Sequence, residues 1–106
     1  MPHPDAADLV LTDVLFALSD PARLDLACRL TEGPLEVAAC HPVGGEIPKS
    51  TLSHHLKTLR EAGVVRNEPY GRQRQVSLRR DDLEARFPGL LAAVLSPALA
   101  QASPPR

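Results

Sequence analysis

The sequence has little of what most binding and catalytic sites are built from. Aromatic residues make up 3% of its 106 residues and tryptophan is absent, which disfavours a surface that stacks single-stranded nucleic-acid bases on rings. No glycine-rich phosphate loop, GxSxG sequence or HExxH sequence occurs. A triad assembled from Ser50 or Ser53 with His54 and Asp81 would lie on a basic outer face without an evident pocket. We therefore expect the protein not to be an enzyme.

Long apolar runs and cysteines are also scarce. No run approaches the roughly 20 apolar residues that a membrane-spanning helix needs. The N-terminus lacks the basic region and following apolar stretch of a signal peptide. We therefore expect a cytoplasmic protein that does not bind membranes. In that compartment Cys28 and Cys40, the two cysteines of the sequence, are expected to be free thiols and not to form a disulfide.

Charge, in contrast, is abundant and unevenly placed. Residues 48–80 carry eight basic and two acidic side chains, whereas residues 1–47 carry two basic and eight acidic ones. The net charge of −1 conceals this division. A concentrated basic segment is typical of a surface that binds phosphate groups. It also occurs as an ordinary solvated face, so charge alone leaves both interpretations open.

Apolar spacing and helix-boundary residues predict a series of helices before residue 63. The first covers residues 6–18, with an apolar stripe of Leu11, Val14, Leu15 and Leu18. The second begins at the cap Asp20 and Pro21 and runs to about Glu32. A short third helix, "LEVAAC", follows Pro34, and a fourth covers residues 49–62 before Gly63.

The remainder of the sequence predicts a hairpin and further helices. "VVRNE" and "RQVSL" are short strand-like runs joined by the turn "PYGR". "RRDDLEARF" and the apolar residues 88–101 read as helices, and residues 102–106 as a frayed tail. The predicted fold is mainly α with a small β-hairpin: one winged helix-turn-helix domain over residues 1–106, with residues 34–62 as the helix-turn-helix and residues 64–78 as the wing.

The fourth predicted helix has two distinct faces. Leu52, Leu56 and Leu59 recur at helical spacing and are expected to be buried. Ser50, His54, Lys57 and Glu61 then point away from the core, with Ser53 and Thr51 on the flanks. Short hydroxyl side chains, a histidine and a lysine on an outer face can reach base edges and phosphates in the DNA major groove. His55 lies beside the leucines and is expected to pack against the domain itself.

The segments "ALSDPARLDLACRLTEGPLEV" and "STLSHHLKTLREAGVV", followed by a basic hairpin, resemble the ArsR/SmtB family of bacterial winged-helix regulators. The resemblance covers about residues 9–83. It implies a homodimer that binds palindromic double-stranded operator DNA, represses its own or a neighbouring operon, and responds to an effector. It also implies that residues 6–18 and 88–101 form the dimer interface. The DNA contacts that it implies are Lys49, Ser50, Thr51, Ser53, His54 and Lys57 on the fourth helix, and Arg72 and Arg74 on the wing.

The sequence departs from this family at the positions that often bind metals. Many members of the family sense metals through a Cys-x-Cys pair in the third helix, where this sequence has only Cys40. Others use Asp, His and Glu ligands in the last helix, where residues 81–106 contain no histidine. A site improvised from His3, Cys28, Cys40 and His41 would suit Zn, Ni or Cu as effector. The alternatives are a redox role for the two cysteines, or a purely structural one, with Cys28 in the core and Cys40 at a helix end.

Two further hypotheses follow from the same residues. The adjacent histidines of "STLSHHLKTL" suggest a metal site at first sight. Neither His54 nor His55 has a Cys, His or acidic residue three or four positions away as a co-ligand, however, and we favour separate roles for them. A winged helix can also serve only protein–protein contact, because a fold does not determine a function. The clustered basic residues favour DNA over that alternative.

Overall fold

The computed structural model describes residues 2–42 and 45–102, and the side chains among them except that of Ala102. Within these residues the helices are α1 (Leu11–Leu18), α2 (Pro21–Leu30), α3 (Lys49–Glu61), α4 (Arg80–Arg86) and α5 (Leu90–Ala102). The strands are β1 (Leu35–Glu36), β2 (Val65–Tyr70) and β3 (Gln73–Leu78), and 3-10 turns cover Ala6–Asp8 and Val37–Ala39. None of the helices described here has the length and apolar character needed to cross a membrane. The expected frayed tail lies outside the described residues, apart from Ala102.

The three strands form one antiparallel sheet in the order β1-β3-β2. In β2 and β3, Val65 pairs with Leu78 and Tyr70 with Gln73, so the predicted hairpin is confirmed. Gly71 supplies a φ of +61° at its turn, which other residues rarely adopt. The sheet is anchored at the base of the hairpin, where Val65 and Val76 are fully buried. Its tip is left to project from the domain.

The predicted third helix is wrong in type. Leu35 pairs with Val76 and Glu36 with Gln75, so the first part of "LEVAAC" is a strand at the edge of the sheet. Only the 3-10 turn of Val37–Ala39 remains helical. The segment is too short to stabilise an α-helix by itself, and pairing with β3 satisfies its backbone groups. In the predicted helix-turn-helix, the first α-helix is therefore replaced by this 3-10 turn, and the second is α3.

The predicted first helix is divided in two. Leu9 and Val10 are extended between the turn of Ala6–Asp8 and α1. Leu9 is buried in the core, where it packs so closely on Gly63 that a Cβ atom at that position would overlap its side chain. Gly63 also has a φ of +86°. This tertiary contact overrides the helical spacing of the segment, so Leu9 is buried although it lies off the predicted stripe.

The core is assembled from one face of each helix and the base of the sheet. Val14, Ala17 and Leu18 of α1 are buried, whereas Leu11 and Leu15 of the predicted stripe are 43% and 42% exposed. The remaining fully buried large side chains are Leu59, Val64, Val65, Val76 and Leu83. α5 packs mainly against α2, and its Leu91 and Leu95 are buried. α3 packs against α1, α2 and β2.

Candidate nucleic-acid interface

α3 has the two faces that its sequence predicts. Leu52, Leu56 and Leu59 are buried, which confirms the predicted stripe. The expected DNA contacts lie away from it: Lys49, Ser50, Ser53, His54 and Lys57 are exposed, and Thr51 is half-buried. The helix begins at Lys49 directly after Pro48 and has no side-chain cap. Its exposed face therefore presents hydroxyl, imidazole and ammonium groups from the first turn onward.

The two neighbouring histidines have different environments, as the sequence predicts. His54 is exposed. His55 Nδ1 lies 3.2 Å from Nη1 of Arg23, and its Nε2 lies 4.0 Å from Oδ2 of Asp20. An arginine can only donate, so Nδ1 accepts and the neutral ring carries its proton on Nε2, toward the carboxylate. The predicted packing of His55 against the domain is confirmed.

Arg23 is the residue that sequence reasoning missed at this junction. It is buried at 6% exposure, and its Nε donates to the carbonyl of Ala17 at 2.7 Å. Its guanidinium lies 5.5 Å from the centre of the Phe16 ring, a cation–π distance. Arg23 thus joins the end of α1, α2 and α3, and fixes the position of α3 from inside the domain. The pattern "SDPAR" predicts a helix start but not this long-range contact.

Asp20 has the predicted capping role and is part of the same junction. Its Oδ2 accepts from the backbone amides of Ala22 at 2.9 Å and Arg23 at 3.1 Å, which confirms it as the cap of α2. Burial alone would raise the pKa of Asp20. The hydrogen bonds from these amides and the nearby His55 and Arg23 outweigh burial, and hold the pKa below its ordinary value. Asp20 is therefore an anion in the neutral range, next to the ring of His55.

The wing presents one exposed arginine and one that is held by its own hairpin. Arg72 is exposed at the turn, beside the 65% exposed Tyr70. Arg74 is half-buried: its Nε donates to Oδ1 of Asn67 at 2.9 Å, and its Nη2 donates to the carbonyl of the same residue at 2.8 Å. Arg72 thus extends toward solvent. Arg74 is oriented along the side of the hairpin that faces α3.

Part of the basic charge of residues 48–80 is neutralised within the domain. Asp82 Oδ2 lies 3.4 Å from Nη2 of Arg66 and 3.0 Å from Nε of Arg79. Arg79 is buried at 4% exposure, so its charge belongs to the domain interior. The cations of this segment that are exposed are Lys49 and Lys57 on α3, Arg72 at the hairpin turn and Arg80 on α4. Charge counting along the sequence could not show this, because Asp82 lies in the next segment.

The N-terminal arm, which comprises Pro2 and His3, contacts both the hairpin and α3. Nε2 of His3 accepts from the backbone amide of Asn67 at 3.0 Å, and the carbonyl of Pro2 accepts from Nη1 of Arg60 at 2.6 Å. Burial lowers the pKa of His3, and Arg66, Arg60 and Arg79 act in the same direction against the opposing carboxylate of Glu68. The arm is thereby fixed to the outer edge of β2 and to the last turns of α3.

The four residues named as candidate metal ligands are engaged separately. His3 is on the arm, and Nδ1 of His41 accepts from the amide of Ile47 at 3.2 Å. Sγ of Cys40 donates to the carbonyl of Glu36 at 3.4 Å, and burial raises the pKa of this thiol to about 11. Cys28 is buried in the core, where burial and the nearby Asp25 raise the pKa of its thiol. Over residues 2–42 and 45–102, no three His, Cys, Asp or Glu side chains form a group that could hold a metal.

The environments of the two cysteines favour the structural interpretation. Both are buried and neither forms a disulfide, and Cys28 is a core residue as expected. Cys40 ends the 3-10 turn of Val37–Ala39 and not an α-helix. Since only the thiolate reacts readily with oxidants and metals, the raised pKa values of both thiols disfavour a reactive role at neutral pH.

Comparison with known proteins identifies the family. The profile of the family described as "Bacterial regulatory protein, arsR family" matches residues 46–67, which are α3 and the start of the hairpin. The HTH-type transcriptional regulator YceK of Bacillus subtilis (strain 168) is 38% identical over 86 residues, which are 79% of this chain and 85% of that protein.

Solved structures show the same fold. The transcriptional repressor BigR from Xylella fastidiosa is 30% identical, with a TM-score of 0.59 over 79% of this chain and 84% of that one. The homodimeric winged helix-turn-helix domain of Mb0332 from Mycobacterium bovis has a TM-score of 0.64 at 24% identity, over 91% of this chain and 87% of that one. The protein is therefore a member of the ArsR family of winged helix-turn-helix, DNA-binding transcriptional regulators, and not an enzyme.

Proposed function

We propose that the protein is a homodimeric repressor that binds palindromic operator DNA in the promoter of its own or a neighbouring operon. The observation that carries the proposal is the exposed polar face of α3, with Ser50, His54 and Lys57, next to a hairpin with the exposed Arg72 at its turn. α3 would lie in the major groove and read base edges, while the wing would contact the backbone. Such a protein would act in the cytoplasm, where the operator is.

The expected DNA contacts fall into two groups by chemistry. His54, Ser50, Thr51 and Ser53 carry short donors and acceptors that suit base edges. Lys49, Lys57, Arg72 and Arg74 carry charges that suit phosphates. We therefore assign sequence discrimination mainly to the first group, and affinity for any duplex mainly to the second.

The surface of α1 supports the homodimer. Val10, Leu11, Leu15 and Phe16 are all more than two-fifths exposed, and Phe16 reaches 64%. Adjacent large apolar side chains at the surface of a small domain are typical of a protein–protein interface. Ala92 and Ala93 of α5 are also exposed, and small residues allow close approach of a second helix. The Mycobacterium bovis domain of the same fold is homodimeric, which agrees with this assignment.

A fluorescence-anisotropy titration tests the proposal. Duplexes carrying the promoter of the protein's own operon are titrated against scrambled duplexes over a range of salt concentrations. We expect a marked preference for the promoter duplex, and an affinity that falls steeply with salt. Equal binding to both duplexes, indifferent to salt, would contradict the proposal.

Two substitutions separate base reading from backbone contact. We expect His54→Ala to reduce the ratio of specific to non-specific affinity, because it removes a base-edge contact. We expect Arg72→Ala to weaken binding to every duplex by a similar factor and to lower the salt slope by about 1, because it removes a phosphate contact. An equal loss of specificity in both variants would refute this division of roles.

Effector response is a separate part of the proposal, supported by the family resemblance. Operator binding is to be measured with and without Zn²⁺, Ni²⁺, Cu⁺ and hydrogen peroxide. Release of DNA by one of the metals would identify a metal effector. Release by peroxide would indicate cysteine oxidation despite the buried thiols. Unchanged binding in every case would point to an organic effector or to none.

A further inference from the structure

An open cleft separates α3 from the wing. It has a volume of about 320 Å³. Its polar lining comes from Ser53, Lys57 and Arg60 on α3, and from Asn67 and Arg74 on the hairpin. We refer to it as the helix–wing cleft. It lies beside the exposed face of α3, since Ser53 and Lys57 line the cleft and are also solvent-exposed.

The side chains of the helix–wing cleft favour an anion. Three of them, Lys57, Arg60 and Arg74, carry positive charge, and none of the described residues that line it is acidic. The hydroxyl of Ser53 adds a neutral donor. Cationic side chains and hydroxyl groups together are the usual partners of a phosphodiester oxygen. Arginine on both walls could bind two different oxygens of the same phosphate.

The wing side of the cleft is held in place before any ligand binds. Arg74 is fixed by two hydrogen bonds to Asn67, which is itself buried at 6% exposure. The backbone amide of Asn67 donates in turn to Nε2 of His3. A guanidinium oriented in advance loses less conformational freedom on binding than a mobile one. Asn67 therefore acts as a positioning residue for Arg74.

The helix side of the cleft already binds a neutral oxygen. Nη1 of Arg60 donates to the carbonyl of Pro2 at 2.6 Å. An anionic phosphate oxygen is a stronger acceptor than a carbonyl for the same guanidinium. Arg60 is not among the DNA contacts that the family resemblance implies. The structure brings it to the same cleft as Lys57 and Arg74.

We propose that the helix–wing cleft binds one backbone phosphate of each operator half-site, with Arg60 and Lys57 contacting it from α3 and Arg74 from the wing. The proposal rests on the operator binding proposed above, and adds Arg60 as a phosphate contact and Asn67 as the residue that positions Arg74. A single phosphate held from both elements fixes the angle between α3 and the wing on the duplex. The cleft thus sets the register in which α3 reads the bases.

The test replaces one phosphate at a time. A duplex selected by the wild-type protein from a random pool is synthesised with a neutral methylphosphonate at each backbone position in turn. Binding is measured for the wild type, for Arg60→Gln and for the control Arg80→Gln. The control removes an equal charge from α4, where Arg80 is exposed and donates to the carbonyl of Thr31 at 2.9 Å. Thermal unfolding of each variant checks that the fold is retained.

We expect one position in each half-site where neutralisation weakens binding of the wild type and of Arg80→Gln by at least about tenfold, because several charge-assisted hydrogen bonds are weakened together. At that position the loss in Arg60→Gln should be several-fold smaller, because the Arg60 contact is already gone and only those of Lys57 and Arg74 remain to be weakened. Equal losses in all three proteins at every position would overturn the proposal. Failure to select any duplex would instead refute operator binding itself.

A second measurement distinguishes DNA from a free phosphorylated ligand. The melting temperature of the DNA-free protein is compared in phosphate and in chloride at equal ionic strength. We expect the wild type and Arg60→Gln to respond equally, because one phosphate ion lacks the other contacts of the duplex. Stabilisation by phosphate that disappears in Arg60→Gln would assign the cleft to a free anion and overturn its assignment to DNA.

Discussion

Two exposed surfaces of this domain differ in their chemistry. On α3 and the wing, most exposed side chains are polar or charged, with serine, histidine, lysine and arginine beside Glu61 and Glu68. At and just before α1, the exposed large side chains are apolar: Val10, Leu11, Leu15 and Phe16. The first surface suits a hydrated polyanion. The second suits an apolar surface of equal character, such as a second copy of α1. The comparison supports the proposal that each surface serves a different partner.

The two surfaces are joined by Arg23. This side chain contacts Phe16 on the apolar side and His55 on α3. A change in the packing of Phe16 against a second subunit would therefore act on the same guanidinium that positions α3. In the proposed homodimer, the α1 interface and the orientation of α3 would thus share one buried residue, although the two exposed surfaces have nothing in common chemically.

The largest expected effect comes from placing a charge on the apolar surface. In Leu15→Arg the new guanidinium would be buried without a partner at the proposed interface. We expect the variant to be monomeric by sedimentation velocity. Its operator affinity should fall by more than about 100-fold, because two linked half-site contacts become independent.

The control for this prediction is Ala85→Arg, which makes a similar change at an exposed position on α4. It should leave the oligomeric state unchanged and operator affinity nearly so. A Leu15→Arg protein that stays dimeric would show that the exposed residues of α1 are not the interface.

A smaller effect separates the two histidines of α3. His55→Ala leaves the buried guanidinium of Arg23 without one of its partners. We expect a loss of about 1–3 kcal/mol in the free energy of unfolding. His54→Ala, one residue away on the exposed face, should change it by less than about 0.5 kcal/mol. Urea denaturation at one protein concentration measures both, because dimer stability depends on concentration.

For DNA recognition, we expect the substitution of His54 to have the larger effect and that of His55 the smaller one. His54→Ala should reduce sequence discrimination, whereas His55→Ala should retain the preference among duplexes at temperatures where it remains folded. If the two variants lose stability equally, the assignment of one face to folding and the other to recognition is wrong.

The smallest expected effect concerns pH and the N-terminal arm. The pKa of His3 in the folded protein is lowered from 6.5. The unfolded chain therefore takes up the proton at higher pH than the folded one. The stability that this contact contributes is complete above pH 6.5 and is lost as the pH falls through 6.5 toward the folded pKa. The nearby groups that set this behaviour are Arg66, Glu68, Arg60 and Arg79.

Hydrogen exchange at the Asn67 amide measures this loss directly. After correction for intrinsic exchange rates, its protection should fall with acidification in the wild type. In His3→Gln, whose side-chain oxygen can accept without titrating, protection should vary much less. Protection that is independent of pH in both proteins would mean that His3 does not hold the amide.

Prediction from sequence succeeded where the signal is local. The bounds of α3, its leucine stripe, the cap at Asp20 and the hairpin follow from periodicity and turn residues within a few positions. The exposed face of α3 follows from the same periodicity. These features supply nearly all of the residues expected to contact DNA.

Prediction failed where the deciding contact is distant in sequence. Leu35 and Glu36 form a strand because β3 lies beside them, some 40 residues later along the chain. Leu9 leaves the helical pattern because its side chain packs against Gly63. The partners of Arg23 and Arg74, and the neutralisation of Arg66 by Asp82, are contacts between elements. No local spacing indicates them.

The sequence by itself therefore determined the bounds of α3, its two faces and the different environments of His54 and His55, because each depends on residue type and helical period alone. Its motifs also carried the resemblance to the family. Only the tertiary structure decided which cations remain available on the surface, and which of them share the helix–wing cleft. The reason is physical: a charge is neutralised or positioned by whatever lies within a few ångströms of it, and folding brings those neighbours from anywhere in the chain.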